Sequence, residues 1–271
     1  MIRLLLVSMS VILFIPLCIN RDINTREPYD HKEKFDASLS WINTIDKLEW
    51  YTDSIAINHR IDPESPAYFV LLEQVISNRF YHSFSHYALN ENFIAAGTEK
   101  MTGVGVSCRV TPSSIMQKEY AACSQQAIVM MAIARKKETP YRKVGFPHHY
   151  ALEIEVDGNW YYFDPNMEPE ITLTERLHQN WQEQNDSLKK YYASSRHANL
   201  DYQFGHGQRA ELGIINEVPA QNARLFQFVT QLLSRIAWLF PLALIFVRRP
   251  TFGKFRLFPA QEPHFHPAFH G

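Results

Sequence analysis

Long apolar runs lie at the two ends of the chain. Between them lie amphipathic segments whose apolar residues recur at helical spacing. The periodicity of apolar residues predicts helices at 41–57, 67–80, 81–97, 123–137 and 172–195. Two strand-like runs stand between the fourth and fifth of these helices, and glycine- and proline-containing loops occupy much of the remainder. The pattern therefore predicts an α+β domain of about 39–220, framed by apolar segments.

The predicted helix at 123–137 begins with a cysteine, Cys123, within the run Glu119-Tyr-Ala-Ala-Cys-Ser-Gln-Gln. Its apolar residues recur at helical spacing, so one face of the helix is expected to be buried. A thiol in the first turn of a helix meets the positive end of the helix dipole, which favours the thiolate form. The alternative is a small buried cysteine that only packs.

Asp157-Gly158 separates the two strand-like runs and predicts a β-hairpin. With a two-residue loop, alternation along the strands places His149 and Asp164 on one face as diagonal neighbours, while His148 points the other way. A three-residue loop would shift the register and exchange the two histidines. The expected constellation is a nucleophile, a base and a residue that orients the base: Cys123, His149 and Asp164.

This segment resembles the transglutaminase-like superfamily, the circularly rearranged relatives of papain-type cysteine peptidases. The family shows a Cys that opens a helix, a pattern near Gly-Ile-Pro-Ala-Arg, then His-Ala-x-x-Glu-Val, a turn with Gly and Trp, and Asp-Pro. The matching residues are Cys123, Pro140 with Arg142, His149 with Glu153, Gly158 with Trp160, and Asp164 with Pro165. The resemblance covers about 120–166, and it departs from the pattern at Ala122 and at Glu138-Thr139.

The resemblance implies a transglutaminase-like fold, with a nucleophile helix packed on an antiparallel sheet, and acyl transfer from an amide of a peptide or protein. Cys123 would attack the carbonyl, His149 would move the proton and Asp164 would hold the imidazole. Gln117 and Tyr120 are candidate oxyanion donors, on sequence proximity to Cys123 alone. Hydrolysis is favoured over cross-linking because water needs no second binding site. The rival interpretation is a catalytically silent module that acts as a scaffold in an envelope assembly.

Charge and cysteine content exclude several other classes. The 271 residues carry a formal net charge of −1, which gives no reason to expect nucleic acid as a partner. Three cysteines are too few for a disulfide framework, and Cys108 is left without an evident role. His82 and His86 have the spacing of metal ligands on a helix, but no third ligand stands near them in the sequence. No cofactor and no metal is predicted.

The apolar ends predict a membrane protein. Residues 1–19 suit a signal peptide or an uncleaved anchor, and the uncleaved anchor is favoured because no small-residue cleavage site follows. A lipoprotein is the alternative at Cys18, although Leu17 before it is bulky for a lipidation site. The predicted divisions are an anchor at 1–19, a linker at 20–38, the catalytic domain at 39–220, a transmembrane helix at 225–247 and a tail at 248–271. Basic residues beside both apolar segments place both termini in the cytoplasm and the domain outside the cell (inner) membrane.

Overall fold

The computed structural model describes residues 1–24, 26–192 and 199–246, and the predicted tail at 248–271 lies outside these residues. The chain divides into two compact units. Among the described residues, one unit contains 1–14 and 237–246, and the other contains the described part of 15–236.

The smaller unit pairs two apolar helices, α1 (Ile2–Phe14) and α10 (Leu239–Phe246). The hydroxyl of Ser10 donates a hydrogen bond to the carbonyl of Trp238 at 2.7 Å, and the ring of Phe14 meets the Trp238 ring edge-on. Most of the large apolar side chains of α1 are exposed.

The larger unit is α+β, as predicted. Its helices within the described residues are α2 (Ile45–His59), α3 (Pro66–Arg79), α4 (Leu89–Thr102), α5 (Pro112–Ile115), α6 (Cys123–Lys136), α7 (Asp186–Lys189), α8 (Leu200–Phe204) and α9 (Gln221–Ile236). Four antiparallel strands, β1 (Tyr141–Gly145), β2 (Tyr150–Val156), β3 (Asn159–Phe163) and β4 (Glu211–Leu212), form one sheet in the order β3-β2-β1-β4.

Each face of the sheet contributes side chains to a different cluster of buried apolar residues. Side chains such as Leu152 and Ile154 of β2 belong to the same cluster as the buried faces of α2, α3 and α6. Ala151 and Tyr162 belong to the other cluster, which contains residues of the irregular segment that follows β3. Alternation along the strands separates these two sets, and it places the helix that begins with Cys123 in the larger core.

The helix predicted at 81–97 begins only at Leu89, so the prediction is wrong for residues 81–88. Residues 81–87 instead form backbone hydrogen bonds with distant segments: Ala121 N–H donates to Tyr81 O, and Arg109 N–H donates to Ser85 O. The predicted helix at 172–195 is likewise broken into short turns over its described part. In both places tertiary hydrogen bonds replace the helical ones that the periodicity suggested.

The segment at 20–38, predicted as a linker, is part of the larger unit and contacts other residues of that unit. The N–H of Glu27 donates to the hydroxyl of Ser83, and the guanidinium of Arg26 lies 4.4 Å from the ring centre of Tyr120. The small number of large apolar residues in this segment predicts a spacer, whereas polar and cation–π contacts join it to the rest of the unit.

Residues 225–246 of the predicted transmembrane segment form two helices, α9 and α10, rather than one. No single helix in the described part of the chain has both the length and the apolar character to cross a membrane. Among the described residues, only α9 and α10 taken together are long and apolar enough to do so. Polar residues of α9 face α4, where the side-chain amide of Asn92 donates to the hydroxyl of Thr230 at 2.9 Å. The location in a membrane stays a prediction.

Candidate functional site

Cys123 is the first residue of α6, and it is partly exposed with a free thiol. The amide side chain of Gln125 fixes this helix start in place: its oxygen accepts from the N–H groups of Ala122 and Ser85, and its nitrogen donates to the carbonyls of Ser85 and Arg109. The N–H groups of a first helical turn have no partners within the helix. The sulfur of Cys123 is therefore held beside a set of backbone donors at a positive helix end.

The hairpin has the predicted two-residue loop. Val156 pairs with Asn159, and the positive φ angles of Asp157 (52°) and Gly158 (73°) are those of the tight turn that matches strand twist. The register argument that selected His149 over His148 is thus confirmed at the turn.

The structure brings His149 and Asp164 together. His149 Nε2 lies 2.6 Å from Asp164 Oδ2, and both side chains are buried. His148 is exposed, and its ring stacks on that of Tyr202 with centroids 3.9 Å apart. His149 and Asp164 therefore occupy the positions predicted from the register, and the ring of His148 points elsewhere.

The sulfur of Cys123 lies close enough to His149 to contribute to the pKa of its imidazole. Because Nε2 faces Asp164, Nδ1 is the ring nitrogen left for the sulfur. Burial alone would lower the pKa of His149, but the charge and hydrogen bond of Asp164, with a smaller contribution from Cys123, raise it to about 10. The imidazole is then protonated at neutral pH and presents a positive charge to the sulfur.

Asp164 receives several hydrogen bonds besides that of His149. The hydroxyl of Tyr192 donates to Oδ2 at 2.8 Å, and the N–H of Met167 donates to Oδ1 at 3.1 Å. Burial by itself would raise the pKa of Asp164, but His149 and these donors hold it below its ordinary value. The carboxylate therefore stays ionised and oriented toward the imidazole.

A buried ion pair that the sequence does not predict holds the backbone of Asp164 in place. Glu73 Oε1 accepts from the N–H of Asp164 at 2.6 Å, and Arg176 Nη2 lies 2.7 Å from Glu73 Oε2. Arg176 Nη1 also donates to the carbonyl of Tyr162 at 2.8 Å. The only signal in the sequence is Glu73 itself, an ionisable residue within an apolar helix.

Two residues of the matched pattern, Arg142 and Glu153, pair across β1 and β2. Arg142 Nε donates to Glu153 Oε2 at 2.8 Å, and the guanidinium lies 4.2 Å from the ring centre of Trp160. His178 Nδ1 approaches Glu153 Oε1 at 2.8 Å. These residues brace the hairpin that carries His149 and are not part of the cluster around the sulfur.

The two candidate oxyanion donors have different surroundings. Gln117 is exposed, and its side-chain amide donates to the carbonyl of Asn43 at 2.9 Å, so this donor is engaged on the surface. Tyr120 is buried, with its ring beside that of Tyr81 and beneath Arg26. The side-chain amide of Gln117 is thus already engaged, and Tyr120 is packed among aromatic and guanidinium groups.

Two cavities flank the site. One of about 300 Å³ is lined by residues that include Ser124, Lys143 and Tyr150, and another of about 220 Å³ is lined by residues that include His82 and Asn166. Burial lowers the pKa of His82; Glu27 opposes this shift and His149 adds to it. His82 is thus a neutral neighbour of the imidazolium, and its place here arises from tertiary contacts rather than from helical spacing.

No protein-family model, curated protein or solved structure matches this chain.

Proposed function

We propose that this protein is a cysteine enzyme of the transglutaminase-like type, which transfers acyl groups from amides through a thioester. The single observation that carries the proposal is the buried His149 ring, which lies 2.6 Å from the Asp164 carboxylate and has the Cys123 thiol as an electrostatic neighbour. A thiolate paired with an oriented imidazolium at a helix start is the arrangement that activates a sulfur nucleophile.

The chemistry follows from this pairing. The Cys123 sulfur forms a bond to the carbonyl carbon of the amide, and the carbonyl becomes an oxyanion. His149 then gives its proton to the leaving nitrogen as the carbon–nitrogen bond breaks, which leaves a thioester and a neutral imidazole. Water or a second amine attacks the thioester, gives its proton to His149 and releases the thiolate. Asp164 holds the imidazole in one orientation throughout.

The N–H of Cys123 is the first donor for the oxyanion, because it belongs to the unpaired N–H groups at the start of α6. Tyr120 is the candidate for the second donor, and Gln117 would first have to leave the carbonyl of Asn43. We propose a peptide or protein amide as the substrate. Hydrolysis is favoured over cross-linking because water alone completes it.

Thiol-directed alkylation of the full-length chain tests the proposal. Iodoacetamide at pH 7, followed by peptide mass analysis, is expected to modify Cys123 at least about tenfold faster than Cys108. Burial, together with the nearby carboxylates of Glu99 and Asp22, raises the pKa of Cys108 to about 12, so its reactive thiolate is scarce.

Cys18 is the matched control because it is an exposed free thiol that needs no activation. Cys123 should react faster than Cys18, and Cys123→Ala should remove the fast label without slowing that of Cys18. Equal rates at Cys123 and Cys18 would contradict an activated nucleophile and would favour the scaffold interpretation.

We also propose that the domain at 39–220 lies outside the cytoplasm of a cell (inner) membrane, with both termini inside. The support is the apolar character of both ends and the basic residues beside them. A reporter enzyme that is active only outside the cytoplasm should be active when fused after residue 220 and inactive when fused after Gly271. Activity at both positions would show that the segment at 225–247 does not cross the membrane.

A further inference from the structure

A second group of chemically reactive side chains contains His86, Glu99 and Cys108. His86 and Cys108 face each other in an isolated antiparallel bridge, and Glu99 comes from α4. His86 Nδ1 lies 3.0 Å from Glu99 Oε1 and 3.5 Å from Cys108 Sγ, and the three possible ligand atoms all lie within 4.8 Å of one another. His86 and Glu99 are buried, and Cys108 is partly exposed.

The hydrogen bonds within the group leave these three atoms facing one another. The N–H and the hydroxyl of Ser107 both donate to Glu99 Oε2, at 2.6 and 2.7 Å, which directs Oε1 toward His86. Nδ1 also lies 3.2 Å from the hydroxyl oxygen of Ser107. When this nitrogen is deprotonated, its lone pair points toward the same space as Glu99 Oε1 and Cys108 Sγ, where a cation could bind all three atoms.

We propose that His86, Glu99 and Cys108 bind a zinc ion. Nitrogen, carboxylate oxygen and thiolate sulfur are the zinc ligands of proteins, with bond lengths of about 2.0–2.3 Å. At tetrahedral angles these lengths place ligand atoms about 3.3–3.6 Å apart, within a few tenths of an ångström of the two separations observed. The third separation, between Glu99 Oε1 and Cys108 Sγ, lies within 4.8 Å, so the bound ion would draw these two atoms toward each other.

The surroundings of the three ligands fit this role. Ser107 orients the carboxylate of Glu99, and the side-chain amide of Gln227 donates to the carbonyl of Cys108 at 2.6 Å. Such partners fix the orientation of metal ligands. A Cβ atom at Gly105 would lie 3.2 Å from Cys108 Sγ, so glycine leaves room for the sulfur.

A cavity of about 500 Å³ adjoins the three ligands, and its lining also includes Asn24, Phe84 and Lys100. It can supply a water molecule or a small anion as the fourth ligand, as zinc sites with three protein ligands require. Bound zinc would join α4 to the segments around His86 and Cys108. Ser85 and Arg109, the adjacent residues of those segments, hold Gln125 at the start of α6.

Another cluster of possible ligands, Asp186, Asp201 and His206, makes a useful contrast. Its two carboxylates are already bridged by the ammonium group of Lys189, and Asp201 and His206 are exposed. A protein cation thus occupies the position that a metal would need.

Cobalt titration of the reduced, chelator-treated, full-length chain tests the proposal, because only a thiolate ligand produces an intense near-ultraviolet charge-transfer band. We expect about one equivalent of Co²⁺ to develop this band and Zn²⁺ to abolish it by displacement. Cys108→Ala should lose the band. Glu99→Gln should weaken Co²⁺ binding by about 10- to 100-fold or more, with circular dichroism as the check on folding.

The controls separate this site from the other cysteines and histidines. Cys18→Ala and Cys123→Ala should keep the band, as should a variant with alanine at His264, His266 and His270 of the C-terminal tail. Absence of the band in the wild-type chain, or its persistence in Cys108→Ala, would overturn the proposal. Should Cys108→Ala fail to fold, unchanged Co²⁺ affinity in a folded Glu99→Gln variant would overturn it equally.

Discussion

His149→Ala is expected to lower turnover of amide substrates by about 10²–10⁴-fold, because the imidazole supplies both the transferred proton and the counter-charge of the sulfur. Alkylation of Cys123 at pH 7 should slow in the same variant, which gives a measurement that needs no substrate. His148→Ala should change either rate little, since its exposed ring stacks on Tyr202. Asp164→Asn should have an intermediate to large effect because it keeps a hydrogen bond but loses the charge that holds the imidazolium.

The adjacent histidine is the matched control for this experiment. Both histidines lie in the same short connection between β1 and β2, so damage to that loop would affect the two variants alike. Equal losses in His148→Ala and His149→Ala would assign the effect to the loop rather than to the ring beside Asp164. Circular dichroism of both variants completes the comparison.

Arg176→Met is expected to lower the free energy of unfolding by about 3–5 kcal/mol, because it leaves the buried carboxylate of Glu73 without its ion-pair partner. Urea unfolding of the full-length chain measures the change. The double variant Glu73→Gln with Arg176→Met should recover much of the loss, since it removes the uncompensated charge and keeps an oxygen for the N–H of Asp164.

The exposed pair between Arg209 and Glu183 offers a control for this prediction. Their side chains are 73% and 70% exposed, so Arg209→Met should cost about 1 kcal/mol or less. A loss within about 1 kcal/mol for Arg176→Met as well would show that Glu73 becomes neutral or solvated in that variant, and that the pair adds little stability.

The buried pair also bears on the proposed chemistry. Glu73 accepts the N–H of Asp164, and Arg176 donates to the carbonyl of Tyr162, two residues earlier on the same chain. Glu73 of α3 therefore fixes the backbone of Asp164, whose carboxylate would orient His149. Asp164 needs such support because a distance of 2.6 Å to His149 leaves little room for displacement.

The sequence by itself determined the features that depend on neighbouring residues. Asp157-Gly158 specifies a tight turn, because few residue pairs tolerate two positive φ angles, and the turn sets the register of β2 and β3. Apolar spacing likewise predicted the helix that begins at Cys123. Together these local signals identified His149 rather than His148 as the partner of Asp164.

The tertiary structure alone decided the features that join distant segments. Residues 81–87 have a helical pattern, but the segment around 107–121 takes their backbone hydrogen bonds, and this pairing brings His86 to Cys108. Glu99 joins them only because α4 packs beside that pair. The Glu73–Arg176 pair arises in the same way from elements far apart in the chain.

The physical reason is the range of the interactions. Turn geometry and apolar periodicity are properties of a few consecutive residues, so the sequence displays them directly. Burial makes a charged or polar side chain seek whichever partner the fold brings within reach, and no spacing along the chain encodes that partner. The sequence therefore identified the cysteine, the histidine and the aspartate, whereas the fold selected the groups that hold them in place.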